Sequence, residues 1–213
     1  MHGLVKPLLR GRLHVGALVV AVPAAVVLVA SAGSLHARAA AAVYGASLVA
    51  VFLVSSAYHR LGRSPRAQQL LRRADHATIF LLIAGSYTPV ALVAVGGEVG
   101  WAMAIAAWVA AAVGVVVKLA WFNRGQVLGA VLYIGMGWMI VVAGPALVHH
   151  VSALELWLLV AGGLLYTGGA VVLARRRPDP SPAVFGYHEV WHSLVILAAG
   201  CHYASIYLVV RGA

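Results

Sequence analysis

The run VGALVVAVPAAVVLVASA, from Val15 to Ala32, holds no charged residue and is long enough to cross the hydrocarbon core of a bilayer as a helix. Six further stretches of the same character follow, near 39–58, 76–95, 101–121, 127–148, 156–174 and 188–210, with short polar breaks between them. Most are apolar all round, as suits helices that face both lipid and neighbours, and irregular backbone cannot be satisfied in hydrocarbon. The expected fold is an all-α integral membrane protein, a single domain over 1–213 built as a bundle of seven transmembrane helices. Of the 213 residues, 63% are apolar and 9% charged, against about a quarter charged in a soluble domain, which excludes soluble and disordered classes.

The net charge of +10 would point to nucleic acid in a soluble protein; in a membrane chain it reports which way the loops face. Lys6, Arg10 and Arg12 precede the first span, and Arg60, Arg63, Arg66, Arg72 and Arg73 follow the second. Lys118 and Arg124 flank the fourth-to-fifth connection and Arg175, Arg176 and Arg177 follow the sixth span, so 13 of the 15 basic residues share one side, with Arg38 and Arg211 opposite. By the positive-inside rule the N-terminus is cytoplasmic and the C-terminus outside, in a multi-pass protein of the cell (inner or plasma) membrane. The first span exceeds the core of a secretory signal and is expected to be retained. No nucleic-acid partner is expected. Gly125-x-x-x-Gly129 is a weak helix-packing motif that leaves the oligomeric state open.

The spans carry almost no ionisable group except histidine, which argues against an ion pump. The only lysines, Lys6 and Lys118, are not in the last span, which argues against a retinal pigment. Cys201 is the single cysteine, so a metal site must draw on histidine and carboxylate. Three connections bring such groups to the cytoplasmic membrane edge: Ser55 to His59 at the end of the second span, Asp75-His76 at the start of the third, and His188-Glu189-Val190-Trp191-His192 opening the seventh. Histidines four apart project from one helix face one turn apart, the spacing that holds one metal ion, so His188 and His192 are candidate ligands. Catalytic zinc takes three protein ligands and keeps a fourth position for water; His59, at the same depth, completes the set. Asp75 is then a candidate general base towards that water, with Ser55, one turn before His59, in support.

Each of these residues also has a plainer role. Asp75 directly precedes an apolar run, as an N-cap does, and Ser181 before Pro182 reads as an N-cap that extends the last helix inward. His59 suits the last turn of a helix, and Ser55 can bond its own preceding turn. His202 lies about 15 Å beyond His192 by helical rise, too far to share its ion, and reads as a buried polar residue. His36, His149 and His150 read as exposed on the outer side. Trp101, Trp121, Trp157 and Trp191 read as interfacial belts.

Taken together, Lys6-Pro7, the stretch from Arg10 to His14, Ser55 to His59, Asp75-His76 leading into Ala84-Gly85-Ser86-Tyr87-Thr88-Pro89, and Phe185 to His192 resemble the hemolysin III family of the progestin and adiponectin receptor superfamily. The resemblance covers nearly the whole chain. It implies a seven-span fold with a cytoplasmic N-terminus and a Zn2+ ion held by His59, His188 and His192, with water near Asp75. In receptors of the superfamily this arrangement is linked to ceramide-type amide hydrolysis, whereas the name of the bacterial members implies lysis. The chain is most similar to a bacterial inner-membrane member, and the long N-terminal extension of the receptors has no counterpart in it.

Three functions follow as expectations. The first is a zinc-dependent hydrolase of lipid amide or ester bonds, ceramidase-like, with a membrane lipid as substrate or ligand. The second is a pore-forming, cytolytic hemolysin, which the scarcity of polar faces at helical spacing disfavours. The third is a lipid-sensing protein in which zinc is structural and ties the second and seventh helices together.

Overall fold

The turns between the long apolar runs are short, and each helix packs first against its neighbour in sequence. A computed structural model describes residues 7–120 and 126–213; Lys6, Trp121, Arg124 and Gly125 lie outside them. Among the described residues eight α-helices follow in order: α1 (Arg12–Ser31), α2 (Leu35–Leu61), α3 (Pro65–Pro89), α4 (Gly97–Ala120), α5 (Gln126–Trp138), α6 (Gly144–His150), α7 (Ala153–Arg175) and α8 (Tyr187–Arg211). Among the described residues the only β-type pairing is an isolated bridge between Ser181 and Phe185. Among the described residues six helices are long and apolar enough to span a bilayer by themselves, and there are seven spans if Val131–Val141 and α6, bent by 53° at the break between them, count as one. The fold is an all-α membrane bundle, as expected.

The bend has an identifiable cause. Pro145 stands at the start of α6 and cannot donate to the preceding turn, so α5 tightens into the 3-10 segment Met139–Val141 before the chain restarts as α6. α3 is modified differently, relaxing after Pro89 into the π-helical segment Val90–Val95 and stopping at Gly96, whose φ of 67° suits glycine.

Two expected boundaries are corrected. The break between Arg60 and Asp75 is mostly helix, because Ser64 caps α3 by accepting Ala67 N at 3.2 Å and Pro65 occupies its first turn. Asp75 is therefore a buried residue in the body of α3 and not its N-cap. Ser181-Pro182 does not open α8 either. Phe185 N donates to Ser181 O at 2.7 Å, closing a turn, and α8 starts at Tyr187 with Glu189 Oε2 accepting Gly186 N at 3.0 Å.

α8 holds the bundle together. It packs along α7 and also touches α1, α2 and α3, while α5 reaches α3, α4 and α7 and closes the ring of helices. At the end that carries the arginine-rich connections, Leu8 N and Leu9 N donate to Ala183 O and Val184 O at 3.0 and 3.2 Å, so the N-terminal segment is strapped to the α7–α8 connection. At the opposite end Gly33 N donates to Val210 O at 3.0 Å and His36 Nε2 lies 3.1 Å from Leu92 O. Tyr44, Phe80, Leu28 and Ile206 are fully enclosed inside, while Val19, Val26, Val142 and Trp157 lie on the outside of the bundle, an apolar exterior fit for lipid.

Small residues set how closely the helices approach. A Cβ on Gly100, at the start of α4, would run into the carbonyl oxygen of Ala91 in the π segment, whereas one on Gly16 of α1 would meet nothing. A backbone carbonyl cannot swing aside as a side chain can. Gly100→Ala is expected to lower the thermal unfolding midpoint of the detergent-purified protein, at an overpacking cost of about 1–3 kcal/mol, while Gly16→Ala leaves the midpoint unchanged or higher.

Candidate metal centre

The last turn of α2 and the first two turns of α8 meet at the basic end of the bundle, and each brings imidazoles. The ligand atoms of His59, His188 and His192 all lie within 4.8 Å of one another, close enough to hold a metal ion. His59 Nε2 and His188 Nε2 are 3.4 Å apart, about the separation of two nitrogens bound to one tetrahedral ion at a bond length of roughly 2.0–2.1 Å. His59 and His188 stand edge-on, with 82° between their planes, and His59 and His192 are tilted, with 59° between theirs. His192 is buried, and its Nε2 has no hydrogen-bond partner in the protein. A buried ring nitrogen without a partner is costly unless it is kept for a ligand. Three imidazoles suit zinc, copper, iron or nickel, so the donor set fits a transition metal.

Local backbone explains why these rings converge. Gly11, the residue before α1, has φ 76°, and a Cβ there would stand 2.6 Å from His59 Cβ; glycine lets the N-terminal segment pass against the end of α2. The start of α8 is doubly satisfied, by Glu189 reaching back to Gly186 N and by Asp179 Oδ1 accepting Tyr187 N at 2.8 Å. Glu189 is 1% exposed and its other oxygen accepts Arg10 Nε at 2.7 Å. This ion pair locks the N-terminal segment to the turn that carries His188 and His192.

Asp75 and Ser55 occupy neighbouring helices at the same end. Both are buried, and the Ser55 hydroxyl faces the Asp75 carboxylate across the α2–α3 contact. Ser55 in turn lies one helical turn before His59. Next to Asp75, His76 Nδ1 stands 3.3 Å from the Tyr133 hydroxyl, which donates to the His76 carbonyl at 3.2 Å.

Several neighbours of the centre were not singled out by their sequence pattern. Trp191, half-buried near the start of α8, packs inward as well: its ring meets His188 and His192 edge-on at centroid distances of 5.0 and 4.8 Å and lies against Gly169 of α7. Trp101 and Trp157, by contrast, are exposed as belt residues are. His14, in the first turn of α1, is buried and lies flat on His192 with ring centroids 3.7 Å apart. The signal that could have found it is depth, since α1 begins at the same membrane edge as the three connections. His202, expected to be a buried polar residue apart from the site, lies 3.2 Å from the carbonyl of Leu159.

The same segments are matched in known proteins. A family model described as Haemolysin-III related matches residues 2–203. The chain belongs to this family. Hemolysin-3 of Bacillus cereus is 32% identical over 181 residues, covering 84% of this chain and 80% of that protein. The Hemolysin-3 homolog of Bacillus subtilis (strain 168) is 29% identical over 154 residues, 72% of this chain and 69% of the relative. The human Monocyte to macrophage differentiation factor is 27% identical over 173 residues, 78% and 68% of the two chains. Membership in the Haemolysin-III-related family and the apolar bundle together identify a multi-pass membrane protein.

The Arg10–Glu189 pair gives the site a testable support. Arg10→Met strands a buried carboxylate and is expected to lower stability by about 1–3 kcal/mol, read as an earlier thermal unfolding midpoint. Glu189→Gln keeps an oxygen for Gly186 N and removes the charge, so its loss is expected to be smaller.

Proposed function

We propose that this member of the Haemolysin-III-related family is a zinc-dependent membrane hydrolase that cleaves amide or ester bonds of lipids, with ceramide-type amides as its first candidate substrates. The observation that carries the proposal is the convergence of half-buried His59 and His188 on buried His192, whose Nε2 is unpartnered, in a bundle whose exterior is apolar. Their imidazoles are the ligand set. Zinc, when bound, supplies Lewis acidity towards a carbonyl and makes water nucleophilic near neutral pH.

The remaining steps belong to the chain itself. Asp75, ionised, accepts the proton that the attacking water releases and returns it to the leaving amine or alkoxide, both at a carboxylate oxygen. Ser55 orients that carboxylate through its hydroxyl. The ends of α1, α2, α3 and α8 exclude bulk water, which strengthens each electrostatic contact inside. The side carrying Arg60, Arg63, Arg66 and Arg175 to Arg177 is the cytoplasmic one, so the site opens at the inner leaflet, where a lipid carbonyl can enter from the membrane.

Elemental analysis of the detergent-purified chain is the deciding measurement. One zinc per chain is expected, and none in a folded variant with His59, His188 and His192 all replaced by alanine. Asp75→Asn is expected to keep the ion and to lower hydrolysis of lipid amides and esters at least about 100-fold. Wild type that holds no zinc even after zinc is added overturns the ligand set. Zinc without turnover on either bond type overturns the hydrolase, and unchanged turnover in Asp75→Asn removes its role as base.

A further inference from the structure

His14 is the residue of the centre for which the ligand set has no use. It stands in the first turn of α1, is 3% exposed, and neither Nδ1 nor Nε2 has a hydrogen-bond partner. A neutral imidazole carries one donor and one acceptor, so this ring buries both without compensation. Burying even one such group unmade is costly, and a native interior keeps it where a partner arrives from outside the chain.

Packing determines what that partner is. The His14 ring lies on His192 with centroids 3.7 Å apart and 23° between the planes, and it also meets Phe52 edge-on at 5.2 Å. A metal binds imidazole nitrogen in the plane of the ring at roughly 2.0–2.1 Å. Two rings stacked nearly parallel at this distance have planes that converge only well beyond that reach. One ion therefore cannot lie in both, and His192 is the ring whose turn of α8 also brings His188. His14 is left out of the coordination by its own stacking.

We propose that His14 is a hydrogen-bonding residue of this centre that binds no metal and keeps its ring nitrogens for a polar oxygen, that of water or of a carbonyl or hydroxyl on a bound lipid. The inference rests on the metal-centre reading and extends it by a fourth histidine with a distinct task. Stacking on His192 places the ring beside the cluster, and Phe52 packs against it edge-on. A packing residue at this position would need no nitrogens. An apolar ring of the same shape would fill the space between Phe52 and His192 without burying unmade hydrogen bonds.

The test compares His14→Phe, which keeps a ring that can stack, with His14→Gln, which keeps a donor and an acceptor. The full chain is purified in detergent, loaded with Co2+ and followed by metal content, by the visible absorption of the ion, and by titration with octanohydroxamic acid. Both variants are expected to retain one ion per chain. If a lipid-like ligand supplies the oxygen, the hydroxamate binds about tenfold more weakly to His14→Phe and within about threefold of wild type to His14→Gln. If water supplies it, hydroxamate affinity is unchanged, while the Co2+ spectrum of the ligand-free protein shifts in His14→Phe and returns in His14→Gln.

Loss of the metal from folded His14→Phe overturns the inference by making His14 a ligand. Unchanged spectrum and affinity, or equal changes in both variants, overturn it by making His14 packing alone. Should His14→Phe fail to fold, His14→Leu enters the same comparison. Wild type that takes up no metal overturns this inference together with the metal-centre reading, an outcome distinct from the others.

Discussion

Glu189 is buried at the first turn of α8, and Arg10 meets it at 2.7 Å. A carboxylate enclosed in a membrane bundle is costly unless it is paired and its remaining oxygen is bonded, and here both conditions hold, since the second oxygen caps Gly186 N. The pair joins the residue before Gly11 to the turn that carries His188 and His192. Because Gly11 passes against His59, the same contact draws the end of α2 to the start of α8. This arrangement, together with the packing of α8 on α1, α2 and α7, accompanies the convergence of the three imidazoles.

The energetics of the two ends of the bundle differ in kind. At the end with Gly33 and Val210 backbone hydrogen bonds join the segments, and the polar side chains His36, Ser205, Ser34 and Glu155 bond to main-chain groups. At the arginine-rich end, polar groups are gathered: His14, His192, Ser55, Asp75 and Glu189 are buried, and His59 and His188 are half-buried beside them. Only part of them find partners inside the protein. His14 and the Nε2 of His192 do not, and the concentration of unmet hydrogen-bonding capacity at one depth marks where a ligand belongs.

The sequence was most informative where its signal is long. Each apolar run reads as a span because a bilayer imposes a length, and the spacing of His188 and His192 reads as a metal face because the α-helix imposes a period. It was least informative at short polar segments. Ser64-Pro65 and Ser181-Pro182 carry the same two residues, yet the first opens α3 and the second sits in a closed turn before α8. What separates them is Glu189 and Asp179, which cap α8 further along, and that competition is not visible in a dipeptide. The N-cap reading of Asp75 fails for the same reason: capping at Ser64 makes an earlier helix start available and moves Asp75 into the helix body.

The sequence by itself determined that this chain is a helical membrane bundle, that its basic residues collect at one end, and that His59, His188 and His192 share a depth. These follow from one-dimensional quantities: hydropathy over a window, charge by segment and helical period. Tertiary structure alone decided that the three rings converge, that the chain bends by 53° between α5 and α6, that Trp191 packs on His188 and His192 and that His14 lies on His192. Those depend on which helix packs beside which and on rotation about each axis. Such choices are set by contacts between residues far apart in the chain, of which Arg10 with Glu189, 179 positions apart, is the clearest.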